Sequence, residues 1–256
     1  MALFSPSVGK GIVLSLLSLV LLGVMPVVSN LRPAAIDALT FALALSVWQV
    51  VFALPVFGIE LKRGTRGIFG VSLSSRARWR MGAIALLTGA LFGMSTYLYV
   101  LGVEKAGATN AAIAIQAYPL FAILLESLFL RRHKTAVELA LTAMLMASLY
   151  YLGTGGTFRM LNLSPWFLVS LGVPLLWSIA HVIIKEELSS TPVTPAQVTF
   201  FRVVISSVFL AGVVSVVEPS GLLAMGYAIL QPISALMGLI YFLELIVWFY
   251  AVRHID

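Results

Sequence analysis

A bundle of membrane-spanning helices is the fold class that this sequence predicts, and three observations support it. Hydrophobic residues make up 61% of the 256-residue chain, charged residues make up only 10%, and the mean hydropathy is +1.05. The chain also divides into eight nearly uncharged stretches. Each approaches the ~20 residues that a helix needs to cross a bilayer. Because a backbone amide in lipid has no water to bond to, each stretch must be helical. We predict an all-α polytopic membrane protein.

Charged or turn-forming residues mark the span boundaries in order. The predicted spans are 11–30, 38–57, 81–103, 106–130, 135–152, 164–184, 195–217 and 231–252. Their limits are set by Lys10, Arg32-Pro33, Asp37, Glu60, Arg80, Glu104-Lys105, Arg131, Lys134, Gly153, Pro165, Lys185, Pro195, Glu218, Pro232 and Arg253. After the break Glu218-Pro219-Ser220-Gly221, residues 222–230 are expected to form an interfacial turn of helix.

Basic residues predict the orientation of the bundle, because cytoplasmic loops carry an excess of lysine and arginine. With a cytoplasmic N-terminus, twelve of them lie inside: Lys10, Lys62, Arg63, Arg66, Arg76, Arg78, Arg80, Arg131, Arg132, Lys134, Lys185 and Arg253. Three lie outside: Arg32, Lys105 and Arg159. The N-terminus is therefore predicted to be cytoplasmic.

Composition also argues against several functional classes. The chain has no cysteine, and its three histidines, His133, His181 and His254, have no metal-ligand spacing. It has no Gly-x4-Gly-Lys phosphate loop, and its acids and histidines form no catalytic constellation. The net charge of +6 is explained by cytoplasmic loops rather than by nucleic-acid binding. We predict no enzyme, no cofactor, no metal and no nucleic-acid partner.

Weak internal similarities indicate a repeat. Residues 97–107 align with 246–256, residues 21–23 with 176–178, and residues 39–41 with 198–200, always in the same order. We interpret 1–153 as a first five-helix repeat and 154–256 as a second repeat lacking its last two helices. Ten helices are then expected, of which eight are present. Because five is odd, the second repeat enters the membrane from the other side, as in many secondary transporters.

Several motifs resemble a known family. The run Leu101-Gly-Val-Glu-Lys-Ala-Gly-Ala-Thr-Asn-Ala-Ala112 is followed by Tyr118-Pro119-Leu-Phe121 and by Leu128-Phe-Leu130. Together they resemble the EamA type of the drug/metabolite transporter superfamily, and the aromatic spans look most like bacterial exporters of aromatic amino acids. The resemblance implies export across a bacterial inner membrane. Where the family often has a glutamate after the fourth span, this chain has Arg131-Arg132-His133.

Ionisable residues deep inside the predicted spans are functional candidates, because charge is costly there. They are Glu126, His181, Arg202 and Glu244, all in the cytoplasmic half. Arg202 and Glu244 could pair, either as a latch that closes the cytoplasmic mouth or as a static link between helices. His181 could shuttle a proton, because histidine titrates near neutral pH, or simply bond a backbone carbonyl or a substrate.

Aromatic residues near midspan form the second candidate set. Rings in a cavity can stack on a substrate while their polar atoms orient it, although large rings also serve as helix packing. Gln116, one turn before a proline, is expected to face the same cavity. Tyr118 and Trp177 rank highest, because the resemblance places a cavity at their positions. The predicted cavity residues are Tyr97, Tyr99, Gln116, Tyr118, Trp177, His181 and Tyr241.

Three prolines, Pro26, Pro119 and Pro174, are expected to break the first, fourth and sixth spans. Gly89 and Gly93 form a small-xxx-small step that favours close helix packing.

Taken together, these features predict a secondary transporter that exports small metabolites by alternating access, with amino acids carrying bulky or aromatic side chains as its substrates. Two alternatives stay open: export of other amphipathic or cationic compounds, and an uncoupled facilitator or channel. The partners predicted are a small-molecule substrate and the lipid bilayer, and the sequence leaves the oligomeric state open.

Overall fold

The computed structural model describes residues 6–64, 66–129, 134–160 and 164–254, and all the regular secondary structure in this part of the chain is helical. The prediction of an all-α fold is confirmed. The helices are α1 (Pro6–Asn30), α2 (Ala38–Lys62), α3 (Ser75–Ala106), α4 (Ala108–Ile115), α5 (Tyr118–Phe129), α6 (Ala136–Gly153), α7 (Pro165–Ser170), α8 (Gly172–Ser190), α9 (Pro195–Val217), α10 (Pro219–Leu230) and α11 (Pro232–His254).

Among the described residues, eight helical segments are long and apolar enough to cross a membrane, as predicted. Most coincide with one helix, whereas the fourth span is α4 with α5 and the sixth is α7 with α8. The outward face of the bundle is strongly apolar; on α1, for example, Val13, Leu16, Val20 and Val27 are exposed. Such a surface is compatible with lipid and not with water.

Helix starts are fixed by side chains that accept hydrogen bonds from the free amides of the first turn. Asp37 caps α2, and Thr135 and Thr194 cap α6 and α9 through reciprocal capping boxes with Glu138 and Gln197. These caps place the helix starts where the sequence predicted them.

Prolines affect the spans unequally. Pro119 and Pro174 lie in the first turns of α5 and α8, directly after the breaks that divide spans four and six. Pro26 lies inside the continuous helix α1, so the expected break of the first span is absent. Pro55, which the sequence analysis did not single out, likewise lies inside α2.

Side-chain contacts define the relative directions of the helices. Ser18 of α1 meets Glu244 of α11, and residues near the start of α1 line a cavity with the end of α11, so these two helices are antiparallel. A side-chain hydrogen bond likewise joins Ser95 of α3 to Trp177 of α8. We call the end of the bundle at which α1 begins the N-terminal side, and the other end the opposite side.

Two parallel helix crossings at the centre are built on glycines: Gly89 and Gly93 of α3 against α9, as the small-xxx-small step predicts, and Gly238 of α11 against α2. A Cβ on Gly89 of α3 would lie 2.5 Å from Ile205 of α9. A Cβ on Gly238 of α11 would lie 2.5 Å from Trp48 Cβ and 2.8 Å from the Leu45 carbonyl oxygen of α2. Small residues allow this close backbone approach, which is how helices associate in lipid.

The segment after the seventh span is longer than predicted. Instead of a turn at 222–230, α10 forms a 12-residue helix that lies beside α2. Gly221 contacts Thr40 near the start of α2, and the Trp48 indole N–H donates a hydrogen bond to the Ile229 carbonyl (2.9 Å). The later residue of α10 contacts the later residue of α2, so the two helices run in the same direction.

The two glycine crossings should be sensitive to a single methyl group. We expect Gly238→Ala and Gly89→Ala each to lower the free energy of unfolding by about 1–3 kcal/mol through overpacking. Gly23→Ala is the matched control, because a Cβ there has nothing within 4 Å. Thermal unfolding of the purified protein in detergent measures the effect. Equal melting temperatures for all three variants would contradict the close approach.

Candidate functional site

The fully buried aromatic residues form the centre of the bundle. Tyr99, Trp177 and Tyr241 are at most 5% exposed, and Tyr241 lies 6.5 Å from Tyr99 and 6.2 Å from Trp177 between ring centroids. The Trp177 indole N–H donates to the Ser95 hydroxyl (2.9 Å). These predicted cavity residues do come together, but they pack against one another, and none of them lines the cavities described below.

A second aromatic group surrounds a hollow. Tyr118 OH lies 3.2 Å from His181 Nδ1, and the Trp248 ring lies 6.0 Å from Tyr118 and 5.8 Å from His181. The hollow, which we call the ring pocket, lies between α1, α5, α8 and α11 and contains 620 Å³ of empty space, part of it open to the exterior. Its polar lining consists of Ser15, Tyr118, Glu126, His181, Lys185 and Trp248. Tyr118 and His181, two of the predicted cavity residues, thus lie together at one pocket.

Two polar atoms around the ring pocket have no hydrogen-bond partner within the described structure: His181 Nε2 and Trp248 Nε1. Leaving such a group unsatisfied costs about 1–3 kcal/mol. A ligand with polar groups would recover part of that cost. The Tyr118 carbonyl, by contrast, already accepts a hydrogen bond from Ser178 (3.1 Å).

Charges of both signs lie at the same pocket. Glu126 on α5 forms an ion pair with Lys134 (2.6 Å), and Lys185 of α8 lines the pocket as well. Glu126, which the sequence predicts as a gating or helix-pairing charge, is therefore paired with Lys134, and Lys185 lies at the same pocket. The turn Arg131-Arg132-His133, which departs from the family pattern, lies outside the described residues.

The proposed pairing of Arg202 with Glu244 is wrong for this structure. Glu244 accepts a hydrogen bond from Ser18 (2.9 Å) instead, which ties α11 to α1. The Arg202 guanidinium lies over the Phe92 ring, 3.6 Å from its centroid, with Tyr241 at 5.6 Å. Cation–π contacts of this kind stabilise a desolvated cation. Neither a latch nor a static link between these two charges is formed.

Two predicted cavity residues lie elsewhere. Tyr97 lines a separate vestibule with 1410 Å³ of empty space, which faces the opposite side of the bundle. Its rim carries Asp37, Glu218 and the ion pair Arg32–Glu104 (2.7 Å). Gln116 is exposed at the break between α4 and α5, so it does not face the ring pocket.

Aromatic stacking closes the N-terminal side between α2 and α9. Phe57 and Phe200 stack with centroids 4.4 Å apart and an interplanar angle of 3°, and Phe201 and Phe69 pack around them. Gln197 adds polar links to the α2–α3 connection, because its amide donates to the Arg66 carbonyl (2.8 Å) and accepts from the Ile68 N–H (3.2 Å).

Sequence reasoning missed Trp248, Lys185 and Ser15 at the ring pocket. Trp248 occurs in the aligned repeat segment 246–256, but nothing in a single sequence shows which way its ring faces. In the sequence, Lys185 contributes only to the excess of basic residues that predicts the orientation. Whether each of these side chains faces the pocket depends on how its helix is rotated about its own axis. Hydropathy alone does not report that rotation.

The geometry defines a polytopic membrane protein with a ligand-sized pocket between its helices. The profile of the EamA-like transporter family matches residues 9–154, more than half of the chain. The chain therefore belongs to that family, which makes it a membrane transporter of small molecules.

Two further comparisons bear on the fold. A solved structure described only as "Crystal structure of protein" is similar to this chain, with a TM-score of 0.59 and 16% sequence identity. The match includes 97% of this chain and 80% of the other, and at this identity it concerns the fold alone. No curated protein sequence matches the chain significantly.

Proposed function

We propose that this transporter exports amino acids, including those with bulky or aromatic side chains. The observation that carries the proposal is the ring pocket, in which Tyr118, His181 and Trp248 surround a hollow with charges of both signs at its edge. Rings stack on an apolar or aromatic side chain, and paired charges suit a zwitterion. Export direction rests on the family resemblance.

The charge pairing favours a net-neutral substrate over a cationic one. A cationic substrate would be expected to need an acid without other partners. Glu126, however, is engaged by Lys134, and Glu244 by Ser18. An uncoupled facilitator is the second candidate, and trans-stimulated exchange separates it from a carrier.

Two inverted repeats, 1–153 and 154–256, are the architecture we propose for alternating access. The matched crossings support this: α3 meets α9 through Gly89 and Ile205, and α11 meets α2 through Gly238 and Trp48. Gly89 and Gly238 are separated by the same interval as the aligned segments 97–107 and 246–256. Aromatic rings are stacked at the N-terminal side, whereas the vestibule opens at the opposite side. Both features fit a conformation in which the transporter is open only at the opposite side.

We further propose that the N-terminal side is cytoplasmic and that the membrane is a bacterial inner membrane. The excess of lysine and arginine at that side supports this orientation. It includes Lys10, Arg80, Lys134 and Lys185 among the described residues.

Removing a ring from the pocket should impair transport. We expect Trp248→Ala to slow the exchange of labelled L-phenylalanine by about tenfold or more, the loss typical of a central aromatic contact. The measurement is counterflow into proteoliposomes, with L-leucine, L-lysine and a sugar in parallel. The matched control is Trp79→Ala, whose ring is 78% exposed and lies far from the pocket lining.

Full activity of Trp248→Ala would exclude the ring pocket as the substrate site. Exchange that prefers L-lysine would point to cationic substrates, and flux without trans-stimulation would favour the facilitator.

Closure at the N-terminal side can be tested by cross-linking, because the native chain has no cysteine. In Phe57→Cys with Phe200→Cys, a short bis-methanethiosulfonate should join α2 to α9 and stop exchange, and reduction should restore it. Each single-cysteine variant, treated identically, should keep its own rate. Continued exchange by the cross-linked protein would show that these two helices do not separate during transport.

Orientation has its own test. A cysteine at Ser220, just after α9 on the opposite side, should react with an impermeant maleimide in intact cells. A cysteine at Ser190, at the N-terminal-side end of α8, should react only after the cells are opened. The reverse pattern would place the N-terminus outside.

A further inference from the structure

A second cavity, which the proposed transport site does not use, lies at the N-terminal side between α3, α8 and α9. It contains 880 Å³ of empty space, part of it open to the exterior, next to the 3₁₀ helix Gly67–Gly70. Its walls are mainly apolar, with Ile84, Ile184 and Phe201 among them. The polar lining is limited to Arg78, Thr88, Glu187 and Arg202, and we call this space the Arg202 cavity.

Arg202 is the unusual member of that lining. It is 3% exposed, forms no ion pair with any residue in the described part of the chain, and has two nitrogens, Nε and Nη1, without a hydrogen-bond partner. Glu244 of α11 attracts the Arg202 guanidinium electrostatically, but it bonds Ser18 and forms no direct ion pair with Arg202. A buried charge without a directly bonded counter-charge is unfavourable. The Phe92 ring stabilises the guanidinium through its face and the Tyr241 hydroxyl interacts with it, yet Nε and Nη1 stay without a partner.

The acidic residue in this lining, Glu187, already pairs with a basic side chain that does not line the cavity. Glu187, with a side chain 9% exposed, accepts a hydrogen bond from the largely exposed Arg80 (2.7 Å). Arg78 adds a further positive charge to the lining. The cavity therefore keeps a net cationic character, with its most buried charge at Arg202.

From these observations we propose that the Arg202 cavity binds an amphipathic carboxylate. The carboxylate pairs with the charge of the Arg202 guanidinium, and an apolar body fills the space along Ile84, Ile184 and Phe201. A single negative charge fits, because multiply charged anions would bring extra charge against apolar walls. A cation is disfavoured by Arg78 and Arg202 together.

This site is distinct from the ring pocket, although the two are neighbours. The Phe92 ring stands between them, 3.6 Å from the Arg202 guanidinium and 5.1 Å from the His181 ring. On α8, Ile184 and Glu187 face the Arg202 cavity, whereas His181 and Lys185 face the ring pocket. The inference goes beyond amino-acid export and does not depend on it.

A carboxylate with an apolar body could reach the cavity from water or from the bilayer. Isothermal titration of the full chain in nanodiscs distinguishes the two sources with 3-phenylpropanoate and dodecanoate. We expect at least one of them to bind, and 3-phenylpropan-1-ol, which has the same body as the first probe without the charge, not to bind. Binding of dodecanoate alone would assign a lipid-derived ligand, and binding of 3-phenylpropanoate assigns a soluble one.

Variants identify the site. Arg202→Met should weaken binding by about tenfold or more, since it removes a charge-assisted bidentate contact, and Arg202→Lys should retain part of the affinity. The control is Arg63→Gln, an exposed arginine outside the lining. Should Arg202→Met fail to fold, Ala85→Phe tests the same space, because it fills the cavity and leaves the charge in place.

Three results would overturn the proposal: no binding of either carboxylate, equal binding of the alcohol, or affinity unchanged in Arg202→Met and Ala85→Phe. The readout is binding rather than flux, so the outcome is independent of the amino-acid exchange assay.

Discussion

Close helix approach at Gly89 and Gly93 of α3 and at Gly238 of α11 is the constraint on which the arrangement of this protein depends. In lipid there is little hydrophobic drive to bring helices together, so contact at short range must hold them. Gly89 allows α3 to reach α9, and Gly238 allows α11 to reach α2. These contacts bring the four central helices together, and α1 and α8 then attach through Ser18–Glu244 and Trp177–Ser95.

The same arrangement determines which aromatic residues surround space and which fill it. α3, α8 and α11 meet closely enough to bury Tyr99, Trp177 and Tyr241 against one another. Farther from those contacts, α5 joins α8 through Tyr118 and His181 while α1 and α11 form the other wall, and a hollow is left. The break before Pro119 permits this, because α5 starts anew after α4 and directs Tyr118 toward α8.

Much of the fold was accessible from the sequence, because hydropathy and charge report where a helix enters and leaves lipid. They placed all eight spans that the described residues contain. They did not report rotation about the helix axis. Gln116 is exposed rather than in a cavity for that reason, and Glu244 bonds Ser18 rather than Arg202. Tyr118 and His181, both predicted for the cavity, lie together at the ring pocket, whereas Trp248 is found there only from the packing.

The bonds made by Gln197 have a mechanical consequence. Gln197 lies in the first turn of α9, yet its side chain holds the backbone of the α2–α3 connection at Arg66 and Ile68. Gly67, with φ of +51°, lies directly against that side chain and leaves no room for a Cβ. Any tilt of α9 must therefore carry the connection with it or break these hydrogen bonds. The start of α9 and the segment that joins α2 to α3 behave as one rigid unit, although more than a hundred residues separate them in sequence.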